Sequence, residues 1–372
     1  MRAGSSFALS RNFGVNIAYL LSFTASFLQA LFTPTLVIYA YTASISELEI
    51  SFIVGFSSMV YIVGALASAR LYASLGSRKV VLLSLLLLAV GLSAHVFTSS
   101  FWGILAAAST TLLGFGIFWP AIEAYLSHSG SNVSKFSFSW SSGSLVGALV
   151  TSTLLRLNLK LLFLGYAAVA LLHAVSSAKL EAVEVESKTS ERQDNSVKAL
   201  LLMIAPWLYC LAYSASAAGI FTFYPIFVEA HNLSKDNISL VNFSMLLART
   251  FTFFFFDRIP AMGRNPLISS ILFLSAGELT MTSNVFLLAV FSAFIGYAQG
   301  VVYATGLEMV FKRGHGVEKA TALFESFIGL GYALAPPLSG AVNASLGFEP
   351  ISFSSLLSLL CTILAIILVR KR

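Results

Sequence analysis

The sequence has few charged residues and few cysteines. Asp, Glu, Lys and Arg make up 10% of its 372 residues, whereas they make up about a quarter of a soluble domain. An ordinary water-soluble fold is therefore excluded. The two cysteines, Cys210 and Cys361, both lie in apolar stretches, so neither a disulfide framework nor a cysteine metal site is predicted.

Motifs that would indicate an enzyme are also missing. The sequence has no HExxH zinc motif, no nucleotide-binding glycine loop and no polar region long enough to form a soluble catalytic domain. It therefore predicts no enzymatic activity, no metal and no cofactor. Transport driven by ATP would need a nucleotide-binding module that this chain does not carry.

Long apolar stretches dominate what is present. Hydrophobic residues make up 57% of the chain and the mean hydropathy is +0.86. A membrane-crossing helix needs about 20 mostly apolar residues, and alternating ten-residue segments typical of a membrane barrel are missing. The first stretch is interpreted as a membrane span and not as a cleavable signal peptide. The sequence predicts an all-α polytopic membrane protein with twelve transmembrane helices, at residues 13–41, 50–70, 79–97, 101–126, 136–155, 159–177, 199–229, 237–256, 266–284, 286–310, 319–343 and 350–369.

The lysines and arginines fall mainly on one side of the predicted membrane. With the N-terminus inside, 18 of the 22 lie in cytoplasmic loops and termini, three lie outside, and Arg249 lies within a span. Short cytoplasmic loops retain positive charge, so both termini are predicted to be cytoplasmic, in a plasma-membrane protein. This distribution also accounts for the pI of about 9.3 without a nucleic-acid partner.

A single long polar segment divides the chain. Its mixed charge and lack of aromatic residues indicate a cytoplasmic linker at 178–198. The linker separates a predicted N-terminal six-helix bundle at 1–177 from a C-terminal six-helix bundle at 199–372.

Similar residues recur at half the chain length. Gly76 recurs as Gly263 and Glu123 as Glu308, at offsets of 187 and 185 residues. The order of such pairs along the chain indicates a duplicated six-helix unit. Parallel repeats related by an axis along the membrane normal place a substrate site between them, near the bilayer midplane.

Three runs of sequence carry a family resemblance. They are LLGFGIFWPAIEAYLS in span 4, FSFSWSSGSLVGAL in span 5 and ALFESFIGLGYALAPPLSG in span 11. Together with twelve spans and a basic loop between spans 2 and 3, they resemble the major facilitator superfamily of secondary transporters. The first two runs are similar to poorly characterised members with FWPxxEA and FxxSWSxG motifs. The resemblance covers essentially the whole chain and implies two parallel six-helix repeats.

The loop between spans 2 and 3 departs from the superfamily pattern, which is approximately G-x-L-x-D-R-x-G-R-R. The segment here retains Gly76 and Arg78 but lacks the aspartate and the first glycine. Span 5 also lacks the Gly-Pro pattern of drug antiporters, so the sequence gives no support to a multidrug function. The second half has a related loop with different spacing, formed by Asp257, Arg258, Gly263 and Arg264.

Arg249 is the deepest basic residue, about twelve residues into span 8. A charged side chain at the bilayer centre costs at least about 2.5–3.5 kcal/mol on insertion scales, so it needs a partner or a function. One interpretation is that Arg249 anchors an anionic substrate or pairs with a titrating carboxylate. The alternative is a structural ion pair inside the C-terminal bundle.

Three glutamates, Glu123, Glu308 and Glu325, lie near the cytoplasmic ends of spans 4, 10 and 11. Burial favours the protonated carboxyl group and a nearby arginine favours the ionised one, so such a group can exchange a proton as a cavity opens and closes. The alternatives are a carboxylate that hydrogen-bonds across an inner gate and one that is simply exposed to solvent. Glu325 is the preferred coupling residue because aromatic and glycine residues surround it, whereas Glu278 in span 9 is the weakest candidate.

The resemblance implies that spans 1, 4, 7 and 10 line the substrate cavity. Aromatic side chains with a polar tip suit a partly apolar organic solute, although they also pack between helices. Trp140 in span 5 could contribute from the side. The candidate cavity residues are Gln29, Thr33, Trp119, Tyr213, Tyr224, Gln299 and Tyr303, with Arg249.

The predicted function is secondary active transport of a small organic solute by alternating access, coupled to protons, with export favoured. An uncoupled facilitator and a non-transporting sensor or scaffold on the same fold stay open as alternatives. The expected partners are a small-molecule substrate, protons and the lipid bilayer, and the protein is expected to be a monomer.

Overall fold

The computed structural model describes residues 2–129, 133–180, 197–311 and 317–370. Their regular secondary structure is helical. The helices are α1 (Arg2–Thr42), α2 (Glu47–Leu75), α3 (Ser77–Ala94), α4 (Phe101–His128), α5 (Val133–Leu154), α6 (Leu159–Ser177), α7 (Val197–Ala230), α8 (Asp236–Phe255), α9 (Pro266–Ile271), α10 (Glu278–Met281), α11 (Val285–Phe311), α12 (Val317–Leu346) and α13 (Pro350–Arg370).

The helices coincide with the twelve predicted stretches. Nine of those in the described ranges are long and apolar enough to cross a membrane. The other stretches are covered by α5, α12 and the shorter apolar segment Pro266–Met281. The prediction of an all-α polytopic membrane protein is confirmed. Within the predicted linker 178–198, residues 181–196 lie outside the described residues.

The ninth predicted span is not a continuous α-helix. It consists of α9, a 3₁₀ helix at Leu272–Gly277 and α10. Asn265 begins the segment by accepting the Leu267 N–H at 3.0 Å, and Pro266 occupies the first turn, where its missing N–H costs nothing. Hydropathy predicts that this segment is apolar, but it carries no information on the change of helix type.

Short polar caps begin several helices at the ends of the spans. Ser46 and Glu49 form a capping box before α2, in which the Ser46 N–H donates to Glu49 Oε2 at 3.0 Å. Asn158 and Asn284 accept backbone N–H groups at the start of α6 and α11. These caps satisfy amides that a helix leaves unpaired, which lets the chain reverse direction within a few residues.

The described residues form two compact units. The first contains those within Met1–Ala43, Phe56–Val185 and Gly316–Ser326, and the second contains those within Ser44–Gly55, Glu186–His315 and Phe327–Arg372. Parts of α2 and α12 therefore belong to each unit. The division into bundles at 1–177 and 199–372 stays a prediction.

Glycines allow close helix contacts within each unit. In the first unit, a Cβ atom at Gly143 of α5 would overlap the carbonyl oxygen of Phe23 in α1. In the second unit, a Cβ atom at Gly296 of α11 would overlap the carbonyl oxygen of Met245 in α8. Small residues at such crossings let backbones approach closely, and these crossings position the polar side chains described below.

Replacing Gly296 with alanine is expected to lower the stability of the protein, because the added methyl group overlaps backbone and can be accommodated only if α8 and α11 separate. Overpacking of this kind typically costs about 1–3 kcal/mol. Gly165 of α6 is a matched control, since a Cβ atom there meets nothing within 4 Å. Gly165→Ala should leave the melting temperature unchanged or raise it, and equal destabilisation by both variants would contradict the packing argument.

Candidate functional site

Two predicted cavity residues of the first unit contact each other. The indole N–H of Trp119 in α4 donates to Gln29 Oε1 in α1 at 2.9 Å. Trp119 is nearly buried, with 7% of its surface exposed. This contact orients the Gln29 amide, and no hydrogen bond from its NH₂ group occurs among the residues that the structure describes.

A pair of glutamates lies in the same unit. Glu123 follows Trp119 by four residues in α4, so the two side chains lie on one helix face. The Tyr61 hydroxyl of α2 donates to Glu325 Oε2 of α12 at 2.5 Å, and the carboxyl groups of Glu123 and Glu325 are close enough to interact electrostatically. The structure thus brings together two of the three predicted coupling glutamates.

Arg249 lies inside the second unit. Only 5% of its surface is exposed. Its Nη1 donates to the Tyr213 hydroxyl of α7 at 2.8 Å, and its Cζ lies 5.2 Å from the centroid of that ring. Among the described residues, no carboxylate forms an ion pair with Arg249 and its Nε has no hydrogen-bond partner. The interpretation of Arg249 as one half of a structural ion pair therefore finds no partner in the described part of the chain.

Two further aromatic rings pack in series from Tyr213, the ring that contacts this arginine. The ring centroids of Tyr213 and Tyr303 lie 4.9 Å apart, and that of Phe253 lies 5.0 Å from Tyr303. Tyr332 of α12 interacts electrostatically with both Tyr213 and Arg249. Four helices of the second unit, α7, α8, α11 and α12, therefore supply one cationic and aromatic cluster.

Buried amides occur in the same helices. Gln299 of α11 is fully buried, and its Nε2 donates to Ser216 Oγ at 3.2 Å. In the described structure its Oε1 has no partner, and neither polar atom of the Asn242 side chain in α8 has one. A buried polar group without a partner is costly, so these atoms are suited to binding water or a polar ligand.

The other predicted site residues differ in their exposure. Thr33 and Trp140 are partly buried in the first unit, and Tyr224 is buried in α7. Glu308 is exposed near the end of α11, and Glu278 is exposed at the start of α10. Within the described ranges, no three His, Cys, Asp or Glu side chains lie together as metal ligands would.

The predicted loop residues have separate structural roles. Gly76 has a φ of 78° at the start of α3, a backbone conformation that favours glycine. Gly263 instead accepts a hydrogen bond from the Tyr297 hydroxyl at 3.0 Å, and a Cβ atom there would lie 2.8 Å from that hydroxyl. Arg78, Asp257 and Arg258 are exposed, and Arg264 lies over the ring of Phe256.

The two sequence motifs in α4 and α5 have different structural roles. The FWPxxEA run contains both Trp119 and Glu123. The FxxSWSxG run contains Ser139, whose hydroxyl donates to the Tyr19 carbonyl oxygen of α1, and Gly143, which contacts the same helix. One motif therefore carries polar site residues, and the other packs α5 onto α1.

Sequence reasoning missed Tyr61 and Tyr332. Both are ordinary aromatic residues in apolar helices, and 264 positions separate Tyr61 from its partner Glu325. Tyr332 lies seven residues after Glu325, which is about two turns along the same helix, and this spacing is a sequence signal that could have identified it. No comparable signal in a single sequence indicates Tyr61.

Comparisons with known proteins agree with the fold. The chain is similar to the crystal structure of the nucleoside transporter NupG, with a TM-score of 0.68, 15% identity, and coverage of 96% of this chain and 98% of that one. It is also similar to a bacterial homologue of the human lysosomal transporter Spinster in an inward-facing, unoccupied conformation, with a TM-score of 0.66, 12% identity, and coverage of 97% and 95%.

No curated protein is significantly similar to the chain in sequence. The family model of the Major Facilitator Superfamily matches residues 18–277, which is more than half of the 372 residues. Together with its apolar helices, this match shows that the chain belongs to the major facilitator superfamily of membrane transporters.

Proposed function

We propose that the protein is a proton-coupled secondary transporter that moves a small organic solute by alternating access, in the direction of export. The observation that carries this proposal is the carboxyl pair of Glu123 and Glu325, with Tyr61 donating to Glu325. The FWPxxEA and FxxSWSxG motifs support placing the chain in the poorly characterised subgroup that carries them.

The carboxyl pair suits proton exchange for an electrostatic reason. Both carboxyl groups are only partly exposed, and two carboxyl groups at close range ionise together only at an electrostatic cost, which favours a proton shared by the pair. Tyr61 can donate to Glu325 in either state, because a neutral acid keeps one carbonyl oxygen as acceptor. Admission of water beside the pair lowers the cost of the second charge and allows the proton to leave.

The polar and aromatic residues of the first unit support an organic solute. Trp119 presents an apolar ring whose N–H is already satisfied by Gln29, and Gln29 keeps donors for a polar group. Trp119 and Glu123 are one helical turn apart, so a solute beside the ring would lie near the proton-binding pair. This proximity would make proton release and solute binding depend on each other.

The proposal is tested by flux in liposomes. Liposomes that contain the purified protein and carry an inward or outward proton gradient should accumulate a transported solute against its concentration gradient. Collapse of the proton gradient should let the solute only equilibrate across the membrane. Nucleosides are one neutral probe set, because a structurally similar protein is a nucleoside transporter. Equal flux with and without the gradient would instead support a facilitator, and no flux of any probe would support a sensor or scaffold.

We also propose that the protein lies in the plasma membrane with both termini in the cytoplasm. Single cysteines at Ser187, in the linker, and at Lys371 should react with an impermeant maleimide only after permeabilisation, whereas a cysteine at Ser99 should react in intact cells. The native Cys210 and Cys361 are buried and should not react with the maleimide. Single cysteines can therefore be introduced into the wild-type protein. Labelling of positions 187 and 371 from opposite faces would contradict an even number of spans between them.

A further inference from the structure

The feature that the proposed transport function leaves unexplained is Arg249, a buried guanidinium without a counter-charge in the described residues. It lies in the interior of α8 with 5% of its surface exposed. Removing an arginine from water and leaving it unpaired is strongly unfavourable. The contact with the Tyr213 ring offsets part of this cost but does not neutralise the charge.

Among the described residues, one edge of the Arg249 guanidinium has no hydrogen-bond partner. Nη1 donates to the Tyr213 hydroxyl, and Nε is buried without a partner in the described structure. No hydrogen bond from Nη2 occurs among the same residues. The Nε and Nη2 donors are parallel and are spaced to match the two oxygens of a carboxylate.

The surroundings favour an organic ligand with one negative charge. Tyr303 and Phe253 provide ring surfaces beside Tyr213, and Tyr332 adds a hydroxyl in the field of the same arginine. One guanidinium balances one charge, so a monoanionic carboxylate fits better than a phosphate dianion. Aromatic rings with polar tips suit a planar apolar body attached to that carboxylate.

From this geometry we infer that the Arg249 cluster in the second unit binds the carboxylate of an organic anion, with Tyr213 positioning the guanidinium. The inference deepens the proposed function and rests on it, because it names the substrate class. Gln299 and Asn242, whose side chains keep unpaired polar atoms in the same helices, provide hydrogen bonding for a further polar group of that ligand.

The test compares ligands that differ only in charge. Purified protein in nanodiscs is titrated with benzoate and benzamide, and with indole-3-acetate and indole-3-acetamide, and binding is followed by thermal stabilisation. Adenosine and its 5′-monophosphate form a third pair that tests a neutral nucleoside and a dianion. At least one carboxylate should bind the wild type about tenfold or more tightly than its amide.

Variants of Arg249 separate a ligand site from a structural role. Arg249→Met should abolish the preference for the carboxylate, Arg249→Lys should retain part of it, and Tyr213→Phe should weaken carboxylate binding about tenfold or more without affecting the amide. Arg156→Met, at an exposed arginine, should behave as the wild type. Without ligand, Arg249→Met should melt at the same temperature as the wild type or higher, because it removes a buried charge that no described residue compensates.

The outcomes distinguish this inference from the transport proposal. Equal binding of carboxylates and amides, failure of every probe to bind, preferential binding of the 5′-monophosphate dianion, or a lower melting temperature for ligand-free Arg249→Met would each overturn the carboxylate site. Selective carboxylate binding without gradient-driven flux of that carboxylate would support the site and count against proton-coupled transport.

Discussion

Glu325→Gln is expected to abolish accumulation driven by a proton gradient while leaving substrate binding intact. The amide keeps an acceptor oxygen for the Tyr61 hydroxyl, which donates to Glu325 in the wild type, but it cannot release a proton. It therefore imitates the protonated state permanently. Liposomes should show exchange of labelled for unlabelled solute, and the accumulation ratio should fall to that of equilibration. Glu123→Gln should weaken coupling for the same reason.

The matched control is Glu278→Gln, which removes an exposed carboxylate in α10 and should leave gradient-driven accumulation unchanged. Unchanged accumulation in Glu325→Gln would exclude this residue as the obligatory coupling site. Loss of binding together with loss of transport would indicate that Glu325 stabilises an inner gate, and Tyr61→Phe should then reproduce that loss.

Arg249→Ala is expected to abolish transport, and Arg249→Lys is expected to retain a fraction of it. Lysine keeps the charge but loses the planar arrangement of donors that spans both Tyr213 and a ligand. Truncating one member of a buried, hydrogen-bonded charge pair typically costs about 2–5 kcal/mol, which corresponds to a loss of affinity of roughly 30-fold to several thousand-fold. Initial uptake rates over a range of solute concentrations measure this effect.

Each Arg249 variant must be compared at equal abundance in the membrane. Arg156→Ala provides the control, because that arginine is exposed beyond the end of α5. If Arg249→Ala folds, reaches the membrane at wild-type levels and transports normally, Arg249 neither anchors the substrate nor contributes to a gate. A higher transport rate for Arg249→Lys than for Arg249→Ala would show that the positive charge itself matters.

The fold was largely predictable because a bilayer imposes length and hydropathy on each span. The stretch predicted at 101–126 is the helix Phe101–His128, and that predicted at 159–177 is Leu159–Ser177. Charged and turn residues at the ends of the spans gave these boundaries. The 3₁₀ helix at Leu272–Gly277 was not predictable, because hydropathy is the same for either helix type.

The candidate site was predictable only in its individual residues. Glu325 and Arg249 can be identified from the sequence alone because ionisable groups are rare at membrane depth. Their partners, Tyr61 and Tyr213, are 264 and 36 positions away in the chain. Such contacts depend on how helices pack, and a single sequence does not record them. The lack of a counter-charge for Arg249 among the described residues is likewise a property of its neighbours in three dimensions.

The change of helix type between Pro266 and Met281 affects how far this short segment reaches across a bilayer. An α-helix rises about 1.5 Å per residue and a 3₁₀ helix about 2.0 Å. With six residues in the 3₁₀ form, the 16-residue segment extends about 27 Å, whereas an unbroken α-helix of that length would extend about 24 Å. The hydrocarbon core of a typical bilayer is about 30 Å thick, and each ångström of mismatch has a modest energetic cost. The 3₁₀ helix therefore lets a segment too short for a regular span match the thickness of the membrane more closely.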